Sequence, residues 1–311
     1  MVSEAGGLRD LLTVDEALRR ILERIPALPA EDGPTPQAVG RVLARDVVAA
    51  ADIPPFANSS MDGYAVRAAD STSAVPDSPI QLAVTMDIPA GTVPDGVVGP
   101  MQAARIMTGA PLPAGADAVI PVEQTDEPWQ PDDDVPLPDK VRIFRMVRPG
   151  ENVRPAGEDI QAGQTILHAG SVLRPQDIGV LVSLSYEKVP LVRQPRVAIL
   201  STGDELADLN EPLKPGQIRN SNSYVLAGLV AAYGGIPIRL PVARDTLAEV
   251  RQRFLDALSH EPDMVISSAG VSVGTRDVVR SVVSELGAIE LWRVNLRPGK
   301  PLAFGHVRGV P

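Results

Sequence analysis

Asp263-Met-Val-Ile-Ser-Ser-Ala-Gly-Val-Ser-Val-Gly-Thr-Arg-Asp277 is the stretch whose reading decides the fold. Residues 263–268 form a short apolar run, which fits a buried strand. The run opens into a Gly/Ser loop, and residues 277–286 then read as a helix. A loop of this kind feeding a helix offers backbone N–H groups to an anion. Cations follow closely. Arg293, Arg297 and Lys300 lie in Leu291-Trp-Arg-Val-Asn-Leu-Arg-Pro-Gly-Lys-Pro-Leu-Ala-Phe304 and can hold more of an anion's charge. On its own Arg293 also fits an arginine at a strand edge, and the Arg297-to-Lys300 turn also fits a solvated turn.

The same strand–helix alternation extends back to Arg193. The run Arg196-Val-Ala-Ile-Leu200 ends in Ser201-Thr-Gly-Asp-Glu205. Residues 220–233 predict a helix closed by Gly234-Gly235. Residues 236–242 predict a strand. Thr246-Leu-Ala-Glu249 is a capping box opening a helix to about His260. Strands at 264–266 and 289–294 complete the pattern. Such alternation implies a parallel sheet with helices on both faces. Ligands in these sheets sit at the carboxyl ends of strands, here 201–205, 243–245, 267–277 and 295–300. The polar and charged residues gather there. Acidic Glu205, Asp245 and Asp277 suit Mg²⁺, which favours carboxylate oxygens and bridges to phosphates. Asp245 also fits a helix N-cap, but the Thr246/Glu249 box frees it. Asp277 fits a helix-start carboxylate favoured by the dipole equally well, and Glu205 fits a solvated loop charge.

Upstream, the texture differs. Thr13-Val-Asp-Glu16 reads as a capping box with Glu16 reaching back, and Leu18, Ile21, Leu22 and Ile25 form an apolar stripe that ends at Pro26. Residues 52–145 carry dense turn signals between short apolar pieces, which predicts a β-rich domain with strands near 118–122 and 141–144. Residues 127–139 read as an exposed acidic loop. Residues 175–184 form an amphipathic stretch with Pro175 at a first helical position.

Composition narrows the classes of function. The 311 residues suffice for two or three domains, and 31 prolines point to many turns and extended connections. Absence of cysteine excludes disulfides and thiolate metal sites, and three histidines argue against a histidine-based one. The net charge of −10 argues against general nucleic-acid binding. From Asp263 onward, however, basic residues outnumber acidic ones by two, which leaves −12 on the rest. A locally cationic region on an acidic protein suits a small anionic ligand. No run reaches the length of a membrane span and no signal-peptide core is evident, so a cytoplasmic protein without membrane partners is expected.

Several long motifs, in order, carry a resemblance to a known family. They are Pro54-Pro-Phe-Ala-Asn-Ser-Ser-Met-Asp-Gly-Tyr-Ala-Val66, Met107-Thr-Gly-Ala-Pro-Leu-Pro113, Arg154-Pro-Ala-Gly-Glu-Asp-Ile160, Ser201-Thr-Gly-Asp-Glu-Leu206, Ser267-Ser-Ala-Gly-Val-Ser-Val-Gly274 and Pro298-Gly-Lys-Pro301. From about residue 11 to residue 305 the chain resembles the MoeA family of molybdenum-cofactor biosynthesis proteins, whose eukaryotic relatives include the E domain of gephyrin.

The resemblance implies a multidomain α/β plus β architecture. Residues 1–52 and 146–190 would form an elongated dimerisation or linker domain, 53–145 a β-rich domain, and 191–311 a three-layer, doubly wound molybdopterin-binding domain. It implies a homodimer that inserts molybdenum from molybdate into adenylylated molybdopterin in a Mg²⁺-dependent step, releasing AMP. A molybdopterin adenylyltransferase and molybdoenzyme acceptors are the partners it suggests. Carried over by motif, Asp62, Thr108, Arg154 and Asp159 match residues of the active cleft, with Asp62, Thr108 and Asp159 in catalytic roles and Arg154 in substrate binding. Glu205, Asp245 and Asp277 match the carboxylates that hold metal or orient substrate. Asn222, Ser267, Ser268, Gly270, Ser272, Gly274, Arg293, Arg297 and Lys300 match ligand contacts. Arg293 and Arg297 are often lysine in relatives, a change that keeps charge but not geometry. Ala269 stands where relatives often show glycine.

Taken singly, Asp62-Gly63 is a turn signal, Thr108-Gly109 a strand end, and Arg154 with Asp159 a surface pair worth little. Their joint occurrence in family order favours the site. His168, His260 and His306 lie outside the motifs and fit surface or packing roles. Relatives continue past this point with a Pro-Gly-Asn-Pro loop and a small β-barrel domain. The sheet domain is therefore expected to be incomplete at its C-terminus, with apolar surface exposed nearby. A non-catalytic molybdopterin-binding or scaffolding relative is the alternative to the transferase. Met61-Asp-Gly-Tyr64 argues against a pterin-adenylylating relative.

Overall fold

The computed structural model describes residues 12–127, 136–268, 278–295 and 301–311, with the backbone alone at 291–293 and 301. The chain forms two compact units. One takes in the described residues up to Ala44, Val172–Arg174 and Lys188 onward, and the other takes in Arg45–Ser171 and Pro175–Glu187.

The first unit opens with helix α1 (Val14–Arg24) and strand β1 (Ala30–Pro34). Thr13 caps α1 by accepting a hydrogen bond from the Glu16 N–H at 3.2 Å. The reciprocal arm of the expected box is not made. The Glu16 carboxylate instead accepts from Arg19 and Arg20, which lie one turn on and offer charged donors. The apolar stripe is also displaced from its expected place. Ala17 is buried beside Leu12, Val294 and Phe304, whereas Leu18 and Leu22 are 53% and 60% exposed and continue a line begun by Val14.

The β-rich unit follows with β2 (Val47–Val48), β3 (Asn58–Ser59), β4 (Gly63–Val66), β5 (Ile80–Ile88), β6 (Gln102–Ile106), β7 (Ala118–Pro121), β8 (Lys140–Ile143), β9 (Val153–Arg154), β10 (Thr165–Leu167) and helix α2 (Pro175–Ser183). Five of these strands form one sheet in the order β7-β4-β6-β5-β8. All of its pairings are antiparallel except β5 with β6. Every residue of β4 is buried, and Tyr64 packs among Leu82, Ile120, Val141 and Ile143. Most of the expected acidic loop, residues 128–135, lies outside the described residues.

The chain returns to the first unit through β11 (Lys188–Val192), antiparallel to β1. The α/β pattern then runs β12 (Arg196–Leu200), β13 (Leu206–Ala207), β14 (Ile218–Arg219), α3 (Ser221–Ala232), β15 (Ile236–Arg239), α4 (Leu247–Ser259), β16 (Met264–Ser267), α5 (Val278–Leu286), β17 (Gly287–Arg293) and β18 (Pro301–Val307). Strand β12 lies in the middle of a parallel sheet ordered β15-β12-β16. Alternate side chains of a strand face opposite sides. Ala198 and Leu200 pack with Val250 and Phe254 of α4 and Val279 and Val282 of α5. Val197 instead lines an apolar groove with Leu226 and Val230 of α3. Helices thus cover both faces, as the alternation implies. Helix α3 is apolar around most of its girth, and Val225, Leu229 and Tyr233 remain exposed.

The last strand departs from the all-parallel expectation. Strand β17 pairs antiparallel with β18 instead of extending the sheet. The link from Arg293 to Pro301 is far shorter than the roughly dozen residues a parallel crossover needs. Gly287 and Gly305 let the two strands close up: a Cβ at either would fall 1.8 or 2.1 Å from the carbonyl oxygen of His306 or Ala288.

Asp263, at the entrance to β16, ties the unit together. Its carboxylate accepts from Arg193 Nη1 and Nη2 at 2.9 and 2.5 Å and from the Arg196 N–H at 2.8 Å. The Arg193 guanidinium above all holds this carboxyl below its usual range. A carboxyl whose pKa is lowered by folding stabilises the native state above its unfolded pKa, and that stabilisation is lost as pH falls through the lowered value. Asp263→Asn is therefore expected to lower the Tm at neutral pH. Melting curves at descending pH should show the gap to the unmodified chain closing below about pH 4; a gap independent of pH would refute the linkage.

Candidate active site

The candidate residues fall into two groups, one in each unit. In the α/β unit, the site is built at the carboxyl end of β12. Ser201 is fully buried, and its hydroxyl lies 3.1 Å from the Ser268 hydroxyl just past β16, where the Ser268 N–H also donates to the Leu200 carbonyl at 3.1 Å. Thr202, 4% exposed, bridges in parallel to Ala243 on the other side. The Ala243 N–H donates to the Ser201 carbonyl at 2.9 Å, and the Gly203 N–H donates to the Ala243 carbonyl at 3.1 Å. These bonds draw the segment carrying Asp245 alongside the Ser201-to-Glu205 loop.

Asp245 is not a helix cap. Thr246 caps α4 by accepting from the Glu249 N–H at 3.3 Å, and the Glu249 carboxylate accepts from the Arg244 N–H at 3.0 Å. The Thr202 hydroxyl and the Asp204 N–H lie near enough to the Asp245 carboxyl to favour its charged form. Partial burial, then the nearby Asp204 and Glu205 carboxylates, push it above the ordinary aspartate range. Glu205 folds back over Gly203, where a Cβ would stand 2.5 Å from its Oε2. Asp204 and Thr202 were not singled out by the sequence reading; their only signal was membership of the same Ser201-to-Leu206 motif.

Asn222 is exposed on the first turn of α3. Asn220, just ahead of it, is a residue the sequence reading missed: its buried carboxamide makes no capping bond and has no hydrogen-bond partner. Ser267 closes β16 beside Leu200. Gly270, Ser272, Gly274, Asp277, Arg297 and Lys300 lie outside the described residues. Arg293 is the last residue of β17, with its backbone opposite Pro301.

In the β-rich unit, the Asp62 Oδ1 accepts from the Thr108 N–H at 2.7 Å, and the Asp62 carbonyl accepts from the Val122 N–H at 3.0 Å. Gly63 is not merely a turn residue; it is the buried first residue of β4. Thr108 follows the end of β6 and is exposed, and Gly109 after it has φ +81°. Strand β3 stitches this turn to the second pair. The Gly109 N–H donates to the Ser59 carbonyl at 2.8 Å, while Asn58 pairs with Arg154 on β9. Arg154 binds Asp159 at 2.7 Å and Glu158 at 2.9 Å in an exposed triad, so Glu158 is a third member that the motif reading passed over. Two of the three histidines sit in peripheral contacts, His168 3.7 Å from Asp46 and His306 3.4 Å from Glu290.

Comparison with known proteins places this geometry. Residues 12–185 match the MoeA N-terminal region (domain I and II), and residues 198–310 match the probable molybdopterin binding domain. The chain belongs to the MoeA family. It is 39% identical over 305 residues to the molybdopterin molybdenumtransferase 2 of Mycobacterium tuberculosis, covering 96% of this chain and 73% of that protein. A molybdopterin molybdenumtransferase of Nostoc is 42% identical over 266 residues, covering 85% of this chain and 59% of that one. A crystal structure of the molybdopterin biosynthesis MoeA protein of Pyrococcus horikoshii superposes with a TM-score of 0.83 at 32% identity, over 97% of this chain and 73% of that one. The boundary between the two MoeA-family matches falls in the segment holding β11 and the start of β12. Among the described residues of this MoeA-family chain, no helix is long and apolar enough to cross a membrane.

Proposed function

We propose that this chain is a molybdopterin molybdenumtransferase of molybdenum-cofactor biosynthesis: it inserts molybdate-derived molybdenum into adenylylated molybdopterin with release of AMP. The observation that carries the reading is the agreement of two things. The relatives that match over nearly the whole chain are named for this transfer, and Asp245, with Asp204 and Glu205 near it, and Ser268 lie past the carboxyl ends of neighbouring parallel strands. Breaking a phosphoanhydride while delivering an oxyanion demands charge neutralisation and positioning above all.

Mg²⁺ belongs to the same proposal. Among the described residues no group of three His, Asp or Glu converges as a closed metal cage. Mg²⁺ commonly takes only one or two carboxylates together with substrate phosphates and water. The hard oxygens of Asp245 and Glu205 fit that mode, because a cation there would offset the like charge that helps push the Asp245 carboxyl up. Bound there, Mg²⁺ would polarise a phosphate oxygen. The chain's own residues do the rest. Ser268 and the α3 start, with Asn222, offer polar contacts to the substrate, and Asp62 holds the Thr108 turn in shape.

A homodimer in the cytoplasm is part of the proposal. The exposed line Val14, Leu18 and Leu22 on α1 is apolar surface of the kind a second copy covers. Light scattering on the purified chain decides it. Molybdopterin adenylyltransferase and molybdoenzyme acceptors are the partners proposed on either side of the reaction. The activity is tested by mixing the chain with adenylylated molybdopterin, molybdate and Mg²⁺ and following AMP by chromatography. No AMP above the enzyme-free control would sink the transferase, and binding without release would support a non-catalytic pterin-binding role.

A further inference from the structure

We infer that Ser59 is a positioning residue for Asp62 and Thr108. Its buried hydroxyl fixes the peptide that leads into Asp62, and its backbone fixes the turn that carries Thr108. The inference rests on the transferase reading and deepens it, since Ser59 lies within the 54–66 motif but was not among the expected site residues.

Met107, Thr108, Gly109 and Ala110 form a tight turn, closed by the Ala110 N–H on the Met107 carbonyl at 3.0 Å. Its third residue, Gly109, has φ +81°, the left-handed value that a type II turn requires there. The Ser59 carbonyl accepts from the Gly109 N–H at 2.8 Å, and the Ser59 N–H donates to the Ala110 carbonyl at 3.0 Å. Both bonds grip the second half of the turn and leave the Thr108 N–H to the Asp62 Oδ1, 2.7 Å away.

On the Asp62 side, the chain is tied at both ends of a short span. The Ser60 N–H donates to the Asn152 carbonyl at 3.0 Å, and the Asp62 carbonyl accepts from the Val122 N–H at 3.0 Å. Met61, between them, is 37% exposed. Its N–H donates to the Ser59 Oγ at 3.2 Å, and its carbonyl accepts from the same hydroxyl at 2.5 Å. Serine hydroxyls make local turns of this kind. A peptide unit is planar, so a fixed Met61 carbonyl also fixes the Asp62 N–H and Cα. The hydroxyl thereby sets the direction in which the Asp62 side chain leaves the backbone. Among the described residues the Asp62 Oδ1 carries the bond to Thr108 and Oδ2 carries none, so this direction decides where the second oxygen is presented.

Ser59 is 1% exposed, so its hydroxyl serves protein partners and not bulk water. Strand β3 itself needs only the Ser59 backbone, through which it pairs with Val153 and bonds Gly109 and Ala110. Alanine would keep all of those bonds and lose the two to Met61. Water can take them over at an exposed residue, so the Asp62 turn loosens while the sheet stays paired. A misplacement of about 1 Å at a reacting group can cost roughly 100-fold in rate.

The test is Ser59→Ala in the full chain, read by amide hydrogen exchange and by AMP-release kinetics. Exchange of the Thr108 amide is expected to speed up about tenfold or more, with the amides of β4 and β6 within about twofold of the unmodified chain. The kcat is expected to fall about tenfold or more, with KM within about twofold. In an Asp62→Asn background, Ser59→Ala is expected to cost less than about twofold more, because it acts through Asp62. Unchanged exchange at Thr108 overturns the inference. So does faster exchange throughout β4 and β6, which marks general loosening, and so does full AMP release despite faster exchange at Thr108. A full further loss in the Asp62→Asn background overturns it as well. These four outcomes spare the transferase reading, whereas an unmodified chain that releases no AMP overturns that reading and the inference with it.

Discussion

Asp245→Asn is expected to reduce AMP release by roughly 100-fold or more, the scale on which loss of a charged group at a reacting centre usually registers, while the fold stays intact or gains stability. The substitution is close to isosteric and removes only the charge. The helix it precedes does not depend on it, because Thr246 and Glu249 make the cap without it. In the native chain the Asp245 carboxyl is pushed up by partial burial and then by Asp204 and Glu205. A carboxyl raised in this way weakens the fold at pH values above its raised pKa and not at pH values below its unfolded one. The Tm of the variant should thus equal or exceed that of the unmodified chain at neutral pH, and any gain should vanish in acid. Functional sites often show this exchange of stability for activity. Turnover assays paired with melting curves at two pH values check both halves. Unimpaired AMP release would remove Asp245 from the mechanism, and a large loss of Tm would show that its role is structural.

Gly63→Ala is expected to destabilise the β-rich unit by about 3 kcal/mol or more, at the severe end of overpacking. Gly63 pairs with Pro121 of β7 on one side and Ile106 of β6 on the other. A Cβ there would lie 2.0 Å from the Ile120 carbonyl oxygen and 2.9 Å from the Val122 nitrogen. Both are backbone atoms of the neighbouring segment, so relief requires parting β4 from its partner. The damage would reach the candidate site, because Asp62 precedes Gly63 and holds both Thr108 and Val122. Urea unfolding followed by circular dichroism measures the loss, and a midpoint unchanged from the unmodified chain would mean that the two strands separate more easily than their hydrogen-bonded register implies. Gly109 offers the contrast: its neighbourhood is open, and only its φ of +81° argues for glycine.

Much of the local structure was legible from residue type alone. The caps at Thr13 and Thr246, the helix closed by Gly234, the short strands at β7 and β8 and the alternation from β12 to α5 each depend on a few neighbouring residues. Within these short segments, periodicity and capping outweigh everything else. The reading went wrong where another partner competed, whether one turn on or far along the chain. Glu16 looked free to complete its box until Arg19 and Arg20 claimed it. The side of α1 facing Val294 and Phe304 turned out to be that of Ala17, because a small residue lets the helix approach closely.

The candidate site divides in the same way. The ordered motifs marked Asp62, Thr108, Arg154, Asp159, Glu205 and Asp245, and the structure joins Asp62 to Thr108, Arg154 to Asp159, and Asp245 to the neighbourhood of Glu205. Sequence by itself determined which segments are strands and helices and which residues bring charge, since those properties are carried by each residue and its near neighbours. Only tertiary structure decided that β17 turns back on β18, that Gly63 must lack a side chain, and that the buried Ser201 hydroxyl just past β12 meets Ser268. These follow from which backbones lie side by side across long stretches of chain, and no local pattern of side chains encodes that adjacency.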